Sequence, residues 1–430
     1  MSPMIICFII CALIIASFVW GKIPMATTAM LGMALFLVTG CVKPATVLAN
    51  FGNNNAVMLL SMFVVAAGFN RTQFVKTCAN SVNKIAKGNL TMVMIGYIGV
   101  TVVLSQFIQS PLVVIGIMAP LLTASCTELG ISPSKTMMPL GMASIITCSS
   151  LPLGSGATVF AELNGYLQAN EYTTYTVGLL DPMKARLPIL IIMTIYCIFI
   201  APKFAPDQPP IAITGGVEKR GAADKPLLAP FQEKCGYIIF FATTLGLIFQ
   251  KQVGQPTWVI CLIGAILMVL TGVMSEKEAI QAVPWWMGLL FVGSLTMGSA
   301  LAETGAGDAI GAALATLVGG ISNRYVIGLL FFIIPFLLTQ VMQNRTVMMV
   351  FIPISILTCK ALGANPIGII ILVQQACLAA FMTPMATPAV PQFMAMGGYD
   401  IKSVFKQSLL PALIICVVAV GWIMTVFPLY

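Results

Sequence analysis

Long apolar runs repeat along this chain, and several are interrupted near their middle by polar or helix-breaking residues. "MIICFIICALIIASFVW" (4–20), "LPILIIMTIYCIFIAP" (187–202) and "LLPALIICVVAVGWIMTVFPLY" (409–430) carry no charge and are close to the length that crosses ~30 Å of hydrocarbon as a helix. The same pattern predicts helices near 4–20, 24–42, 53–70, 185–202, 235–250, 256–273, 284–300 and 408–428. Four further segments are apolar but broken: 90–125 at "QSP", 136–160 at "LPLGSG", 325–358 at "QNR" and 365–395 at "TPMATP". Two stretches are more polar. The first, "NRTQFVKTCANSVNKIAKGN" (70–89), reads as a helix lying at the membrane interface, and 303–320 reads as amphipathic. Pro, Gly and most of the clustered charge gather in 203–234, which reads as a soluble linker.

Composition turns this pattern into a class. Apolar residues make up 59% of the 430 positions and charged residues 8%, against roughly 25% charged in a soluble domain. The chain therefore lacks the material for a wetted surface and is expected to be an all-α integral membrane protein. A membrane barrel would instead alternate apolar and polar positions. Because spans continue to the last residues, the first is expected to be a span rather than a removed signal peptide. With no histidine in the chain, the commonest general base and metal ligand is missing, which argues against an enzyme. The 12 cysteines form no CxxC pair and read as small apolar packing residues. The net charge of +8 reads as membrane topology rather than nucleic-acid affinity.

The two halves look like copies. Thr72 and Thr304 lie 232 residues apart, Gln109 and Gln343 lie 234 apart, Pro120 and Pro353 lie 233 apart, and Ser155 and Thr387 lie 232 apart. The expected organisation is a first membrane repeat over 1–202 (hairpin 90–125, broken helix 136–160), a cytoplasmic linker over 203–234, and a second repeat over 235–430 (hairpin 325–358, broken helix 365–395). With the termini outside and both hairpins re-entrant, 14 basic residues face the cytoplasm and 6, Arg186 among them, face out, as the positive-inside rule asks. The hairpins then enter from opposite sides. Paired broken segments at corresponding positions of two halves are a pointer to a transporter's binding site.

Unwound backbone at membrane depth survives only where protein or a watery cavity satisfies it, so the four breaks should converge. Helix N-termini exposed there suit an anion, while hydroxyls and carbonyls suit a small hard cation. Expected substrate-binding residues are Gln109, Ser110 and Pro111 at the first tip, Gln343, Asn344, Arg345 and Thr346 at the second, and Thr387 and Pro388 in the last break. Expected ion-binding residues are Ser105, Ser149, Gly154, Ser155, Thr339, Thr383 and Ala386. The competing reading for each Ser or Thr is a bond to its own helix or to a neighbour. Arg345 stands out because a charge at membrane depth costs a few kcal/mol or more and usually faces a pathway or a partner. Its planar fork matches a carboxylate or sulfate. The acids offer it little, since Glu162, Glu303 and Asp308 all fall near predicted segment ends and read as solvated, with Glu303 or Asp308 an alternative partner or proton carrier.

At these breaks the chain resembles the divalent anion/sodium symporter family of the solute-carrier 13 type. That family carries Ser-Asn-Thr at both hairpin tips, where this chain reads Gln343-Asn344-Arg345 and Gln109-Ser110-Pro111. "MPLGMASIITCSSLPLGSGAT" and "AAFMTPMATPAV" are similar to the family's loops after each hairpin, and "GKIPMATTAMLGMALFLVTG" and "NNNAVMLLSMFVVAAGFNRT" are similar to its opening. The resemblance implies a homodimer with a scaffold and a transport domain, and elevator-type alternating access. It also implies a di- or tricarboxylate or sulfate as substrate, with sodium ions as coupling ions and no other cofactor. Only Asn344 remains of the two signatures, and the fixed guanidinium of Arg345, standing where the family has a tip hydroxyl, is expected to supply positive charge that sodium otherwise brings, so that sodium dependence is reduced, as in an exchanger or a proton-coupled carrier. The alternatives are a citrate–metal, arsenite or sodium/proton carrier of the same superfamily and, from another class, a membrane receptor or enzyme. The expected setting is the inner (plasma) membrane, and the expected partners are a small anion, lipid and a second copy, with no nucleic acid.

Overall fold

A computed structural model describes residues 2–20, 22–73, 89–108, 110–213, 228–283, 285–318, 321, 323–340, 343–384 and 386–430. Among these residues all regular structure is helical. Most of the expected interfacial helix, the middle of the linker 203–234, and Gln109 lie outside the described residues.

The first half comprises α1 (Pro3–Trp20), α2 (Met25–Val38), α3 (Pro44–Phe51) and α4 (Asn54–Asn70). A hairpin follows, made of α5 (Leu90–Phe107) and α6 (Pro111–Glu128). Next comes a helix broken in two: α7 (Met137–Ile146) and α8 (Val159–Ala169), with a 3-10 turn over Gly154–Thr158 between them. The half closes with α9 (Asp181–Ile195), which continues through a π turn at Tyr196–Ile200. The second half also ends in a hairpin, a broken pair and a long helix. It runs α10 (Pro230–Ile248), α11 (Thr257–Leu270), α12 (Glu276–Ala282), α13 (Trp285–Glu303) and α14 (Ala306–Val318). The hairpin of α15 (Arg324–Thr339) and α16 (Asn344–Leu362) leads to a second broken pair, α17 (Ile367–Leu378) and α18 (Ala389–Gly397), and then to α19 (Ile401–Val426).

Local interactions recur at nearly constant spacing. Thr39 and Thr271 each donate a hydroxyl to the carbonyl four residues back at 2.7 Å, and Gly40 and Gly272 follow them at φ 72° and 73°. Asn89 and Asn323 cap α5 and α15, each accepting the amide two residues on at 2.9 Å. Two short helices, α3 and α12, were not expected from hydropathy. At 8 and 7 residues they are too short to show as apolar runs. Their local signals are Pro44 at the first turn of α3 and the Ser275–Glu278 capping box of α12.

Among the described residues, five helical stretches are long and apolar enough to cross a membrane: Pro44–Phe69, Leu90–Phe107, Asp181–Phe204, Asn344–Leu362 and Ile401–Val426. The first is interrupted at Gly52 and Asn53, where α3 ends and α4 is capped. Large apolar side chains stay exposed along α9, α11, α15 and α19, including Ile191, Ile266, Leu337, Leu413 and Val417, as lipid-facing helices require. The helices meet through small residues, the usual device where lipid removes the hydrophobic drive to associate. A Cβ added at Gly293 of α13 would stand 2.7 Å from the Ala29 Cβ and 3.0 Å from the Ala29 backbone of α2.

The break between α7 and α8 closes on itself still more tightly. A Cβ at Gly156 would lie 1.6 Å from the carbonyl oxygen of Leu151, a clash with backbone that no side-chain rearrangement relieves. Gly156→Ala is therefore expected to lower the thermal unfolding midpoint of the purified protein sharply. Gly99→Ala in α5, where nothing lies within 4 Å of the added Cβ, should leave it unchanged or raise it, helix propensity favouring Ala by up to about 1 kcal/mol. Equal midpoints for the two variants would contradict this account.

Candidate functional site

The two helix breaks impose the same problem, and the chain solves it twice with a buried glutamine. Gln106, on α5, donates its amide to the carbonyls of Val102 (2.8 Å) and Thr147 (2.9 Å) and accepts from the amides of Ser150 (3.1 Å) and Leu151 (3.0 Å). Gln340 lies 234 residues later, at the end of α15. It donates to Phe336 O (3.0 Å) and Ala379 O (3.1 Å) and accepts from Met382 N (3.1 Å). Each glutamine ties a hairpin to the unwound backbone beside it, so tip and break are held as one unit. Further ties follow the same logic. Ser149 N donates to Ser105 O at 3.1 Å, Ser144 donates to Pro111 O at 3.2 Å, and Thr383 donates its hydroxyl to Gln340 O.

Both tips and both breaks wall one cavity of about 630 Å3. Of the expected substrate residues, Ser110, Pro111, Gln343, Asn344, Arg345, Thr387 and Pro388 line it, and so do Ser149 and Ala386 from the ion-binding set. Thr346, in contrast, is 2% exposed and is not part of the wall. Ser105, Thr339 and Thr383 stand behind the wall as braces. The Thr339 hydroxyl lies 3.0 Å from Cys377 O and 3.1 Å from Asn344 Oδ1. Gly154 and Ser155 belong to the 3-10 turn that leads into α8. Gln109 lies outside the described residues.

Two residues that the sequence placed elsewhere belong to this site. Glu162, read as a solvated segment end, is 7% exposed. The correction has a simple cause: α8 runs on to Ala169, so Glu162 sits in its first turn, at the break. There the helix dipole favours a carboxylate. It holds Arg345, whose Nη1 donates to both carboxylate oxygens at 2.7 and 2.8 Å. The second correction is Arg186, read as facing out. Its side chain has no exposure and lies among the carbonyls that end α7. Gln374, Trp286 and Phe63 also line the cavity without a sequence signal. The Gln374 Oε1 is buried and has no partner among the described residues.

A family model described as a citrate transporter (CitMHS) matches residues 15–334 and again 238–430. The chain belongs to the citrate transporter family. A transporter of Haemophilus influenzae is 24% identical over 87% of the chain and 81% of its own length. The sodium-dependent dicarboxylate transporter SdcS of Staphylococcus saprophyticus is 23% identical over 88% of the chain and 78% of its own length. These relatives are in line with the resemblance to divalent anion/sodium symporters. The YdaH transporter of Alcanivorax borkumensis superposes with a TM-score of 0.63 at 13% identity, over 88% of this chain and 87% of its own. MtrF of Neisseria gonorrhoeae gives 0.62 at 12% identity, over 100% and 96%. At such identities the likeness is one of fold alone, while the family match makes the chain a multi-pass membrane transporter.

In this member of the citrate transporter family the Arg345–Glu162 pair is nearly buried, at 22% and 9% side-chain exposure. Removing one partner of such a pair leaves an uncompensated charge, at a cost of roughly 3–5 kcal/mol, whereas replacing both with apolar groups is often neutral. Glu162→Met and Arg345→Met should each lower the unfolding midpoint in detergent strongly, and the double variant should recover most of the loss. Additive losses in that cycle would show that the two side chains are not coupled.

Proposed function

We propose that the protein is a secondary transporter of a small anion of the di- or tricarboxylate class, and that the cavity between the two tips is its substrate site. The observation that carries this reading is the convergence of both tips and both breaks on one cavity. Its volume of about 630 Å3 lies within the ~300–1,000 Å3 usual for small-molecule sites. Pro111 opens α6 without an N–H, so the amides left without an intrahelical acceptor are those of Leu112 in α6 and of Asn344 and Arg345 in α16; these offer an anion both donors and a partial positive charge. Ser110, Gln343, Asn344 and Thr387 add neutral polar groups around them.

In this reading the halves form an inverted duplication, the hairpins enter from opposite faces of the plasma membrane, and the linker 203–234 is cytoplasmic. The tip-and-break unit moves across the membrane as one body against a scaffold, in a homodimer. The Gln106 and Gln340 ties suit such a motion, because they join each hairpin to its break without reaching outside that unit.

One observation favours a second substrate form. Glu162 cancels the charge of Arg345, and Gln374, which lines the cavity, carries a buried acceptor oxygen with no partner among the described residues. An acceptor pairs with a donor or a cation, so a carboxylate arriving with its own metal ion, as a citrate–metal complex, fits the wall as well as a free dicarboxylate.

Proteoliposome uptake of labelled succinate, citrate and sulfate, with and without magnesium and with and without a sodium gradient, tests both forms. Uptake of a carboxylate is expected, with citrate uptake stimulated by magnesium under the second form. Thr387→Val and Gln374→Leu should each reduce that uptake tenfold or more while the unfolding midpoint stays close to that of the parent. No uptake of any of the three anions would count against the carboxylate reading.

A further inference from the structure

Arg345 is the arginine that the sequence singles out, yet its charge is spent on Glu162. The other buried guanidinium is bound quite differently. Arg186, in the second turn of α9, is fully buried, and its partners are neutral oxygens. Nη1 donates to Ser149 O at 2.9 Å, Nη2 to Cys148 O at 2.9 Å and Ile146 O at 3.4 Å, and Nε to Gln375 Oε1 at 2.5 Å. None of the ion pairs among the described residues includes it.

Three of those oxygens are the last carbonyls of α7 and the turn beyond it, the negative end of a helix whose residues are all buried in the protein. Unwound carbonyls and half-helix C-termini at such a break are the oxygen donors from which a membrane transporter builds a site for a small hard cation. Here a positive centre already stands among them, tethered to the neighbouring helix. Two of the residues whose carbonyls it binds, Cys148 and Ser149, line the central cavity. The guanidinium therefore sits directly behind the cavity wall.

The second half lacks this feature. Residues 401–430 contain no arginine, and both lysines of α19, Lys402 and Lys406, are exposed. At the matching break Cys377 O is met by the Thr339 hydroxyl and Ala379 O by the Gln340 amide, both neutral donors. The charge is thus confined to one of two otherwise corresponding breaks.

We propose that Arg186 is the resident cation of the first break. Its guanidinium fills the oxygen cage that a coupling ion would otherwise occupy, so this break takes no sodium from solution, and a fixed positive charge behind the wall serves the anion site in every cycle. The proposal rests on the transporter reading for its role in transport, but the occupancy of the break can be measured without any substrate.

The test uses the full-length protein in detergent, with the thermal unfolding midpoint and isothermal titration read in sodium chloride against choline chloride at equal ionic strength. The parent protein is expected to bind no more than one sodium ion per chain. Arg186→Ala should lower the midpoint, and millimolar guanidinium, or sodium, should restore at least half of the loss while choline does not. Arg186→Lys, which keeps the charge, should retain the parent's indifference to sodium at this break even if its midpoint is lower. Arg186→Gln, which keeps hydrogen-bonding capacity without charge, should gain the sodium response.

Two sodium ions bound by the parent would overturn the proposal. So would an Arg186→Gln protein as stable as the parent and as indifferent to sodium, since hydrogen bonding alone would then suffice. If Arg186→Ala does not fold, the parent stoichiometry and the contrast between Lys and Gln still decide. A sodium-order measurement in proteoliposomes, with labelled succinate or citrate as the probe, should show one more sodium ion required by Arg186→Gln than by the parent. Absence of uptake by the parent would count against the transporter reading and leave the binding result to stand by itself.

Discussion

The structure depends on one constraint: backbone amides and carbonyls released where a helix stops inside the protein must find partners there. Each group left unmet by protein or water costs several kcal/mol. Gln106 and Gln340 meet that demand at the two breaks, each clamping its own helix and the unwound segment beside it. Because the clamp joins hairpin to break, the irregular backbone can stay open on its other side. The cavity exists on that side.

Charge at the site follows from the same constraint. An arginine at a tip would be expensive alone, and Glu162 at the start of α8 makes it tolerable. The pair is neutral as a unit, so attraction for an anion falls to helix N-termini and polar side chains rather than to a free guanidinium. Arg186 shows the opposite solution. Its charge is balanced by carbonyl dipoles, which leaves a net positive centre within the body that carries the breaks. Two arginines with equal formal charge thus contribute very different fields to one cavity.

Much of the architecture was legible along the chain. The broken segments, the hairpins and the near-constant spacing of 232 to 234 residues could be read because hydropathy and helix breakers are local signals that a bilayer forces to be strong. The tip residues Ser110, Asn344 and Arg345 were legible for the same reason, since polar groups within an apolar run are few. What escaped was short or depended on partners. The helices α3 and α12 are too brief to appear as apolar runs. Glu162 was misread by its distance from a predicted boundary that in fact extends to Ala169, and Arg186 was counted as a solvated charge on the outer face.

By itself, the sequence determined the membrane setting, the all-helical class, the order of whole and broken helices and the family resemblance, because each follows from residue type and spacing along one dimension. Only the tertiary structure decided which polar groups meet. It placed Glu162 against Arg345 across 183 residues of chain, and Arg186 against the carbonyls that end α7. It also made Ser105, Thr339 and Thr383 braces while Ser110, Asn344 and Thr387 became the cavity wall. Pairings of this kind depend on helices distant in sequence packing side by side, and no local pattern records them.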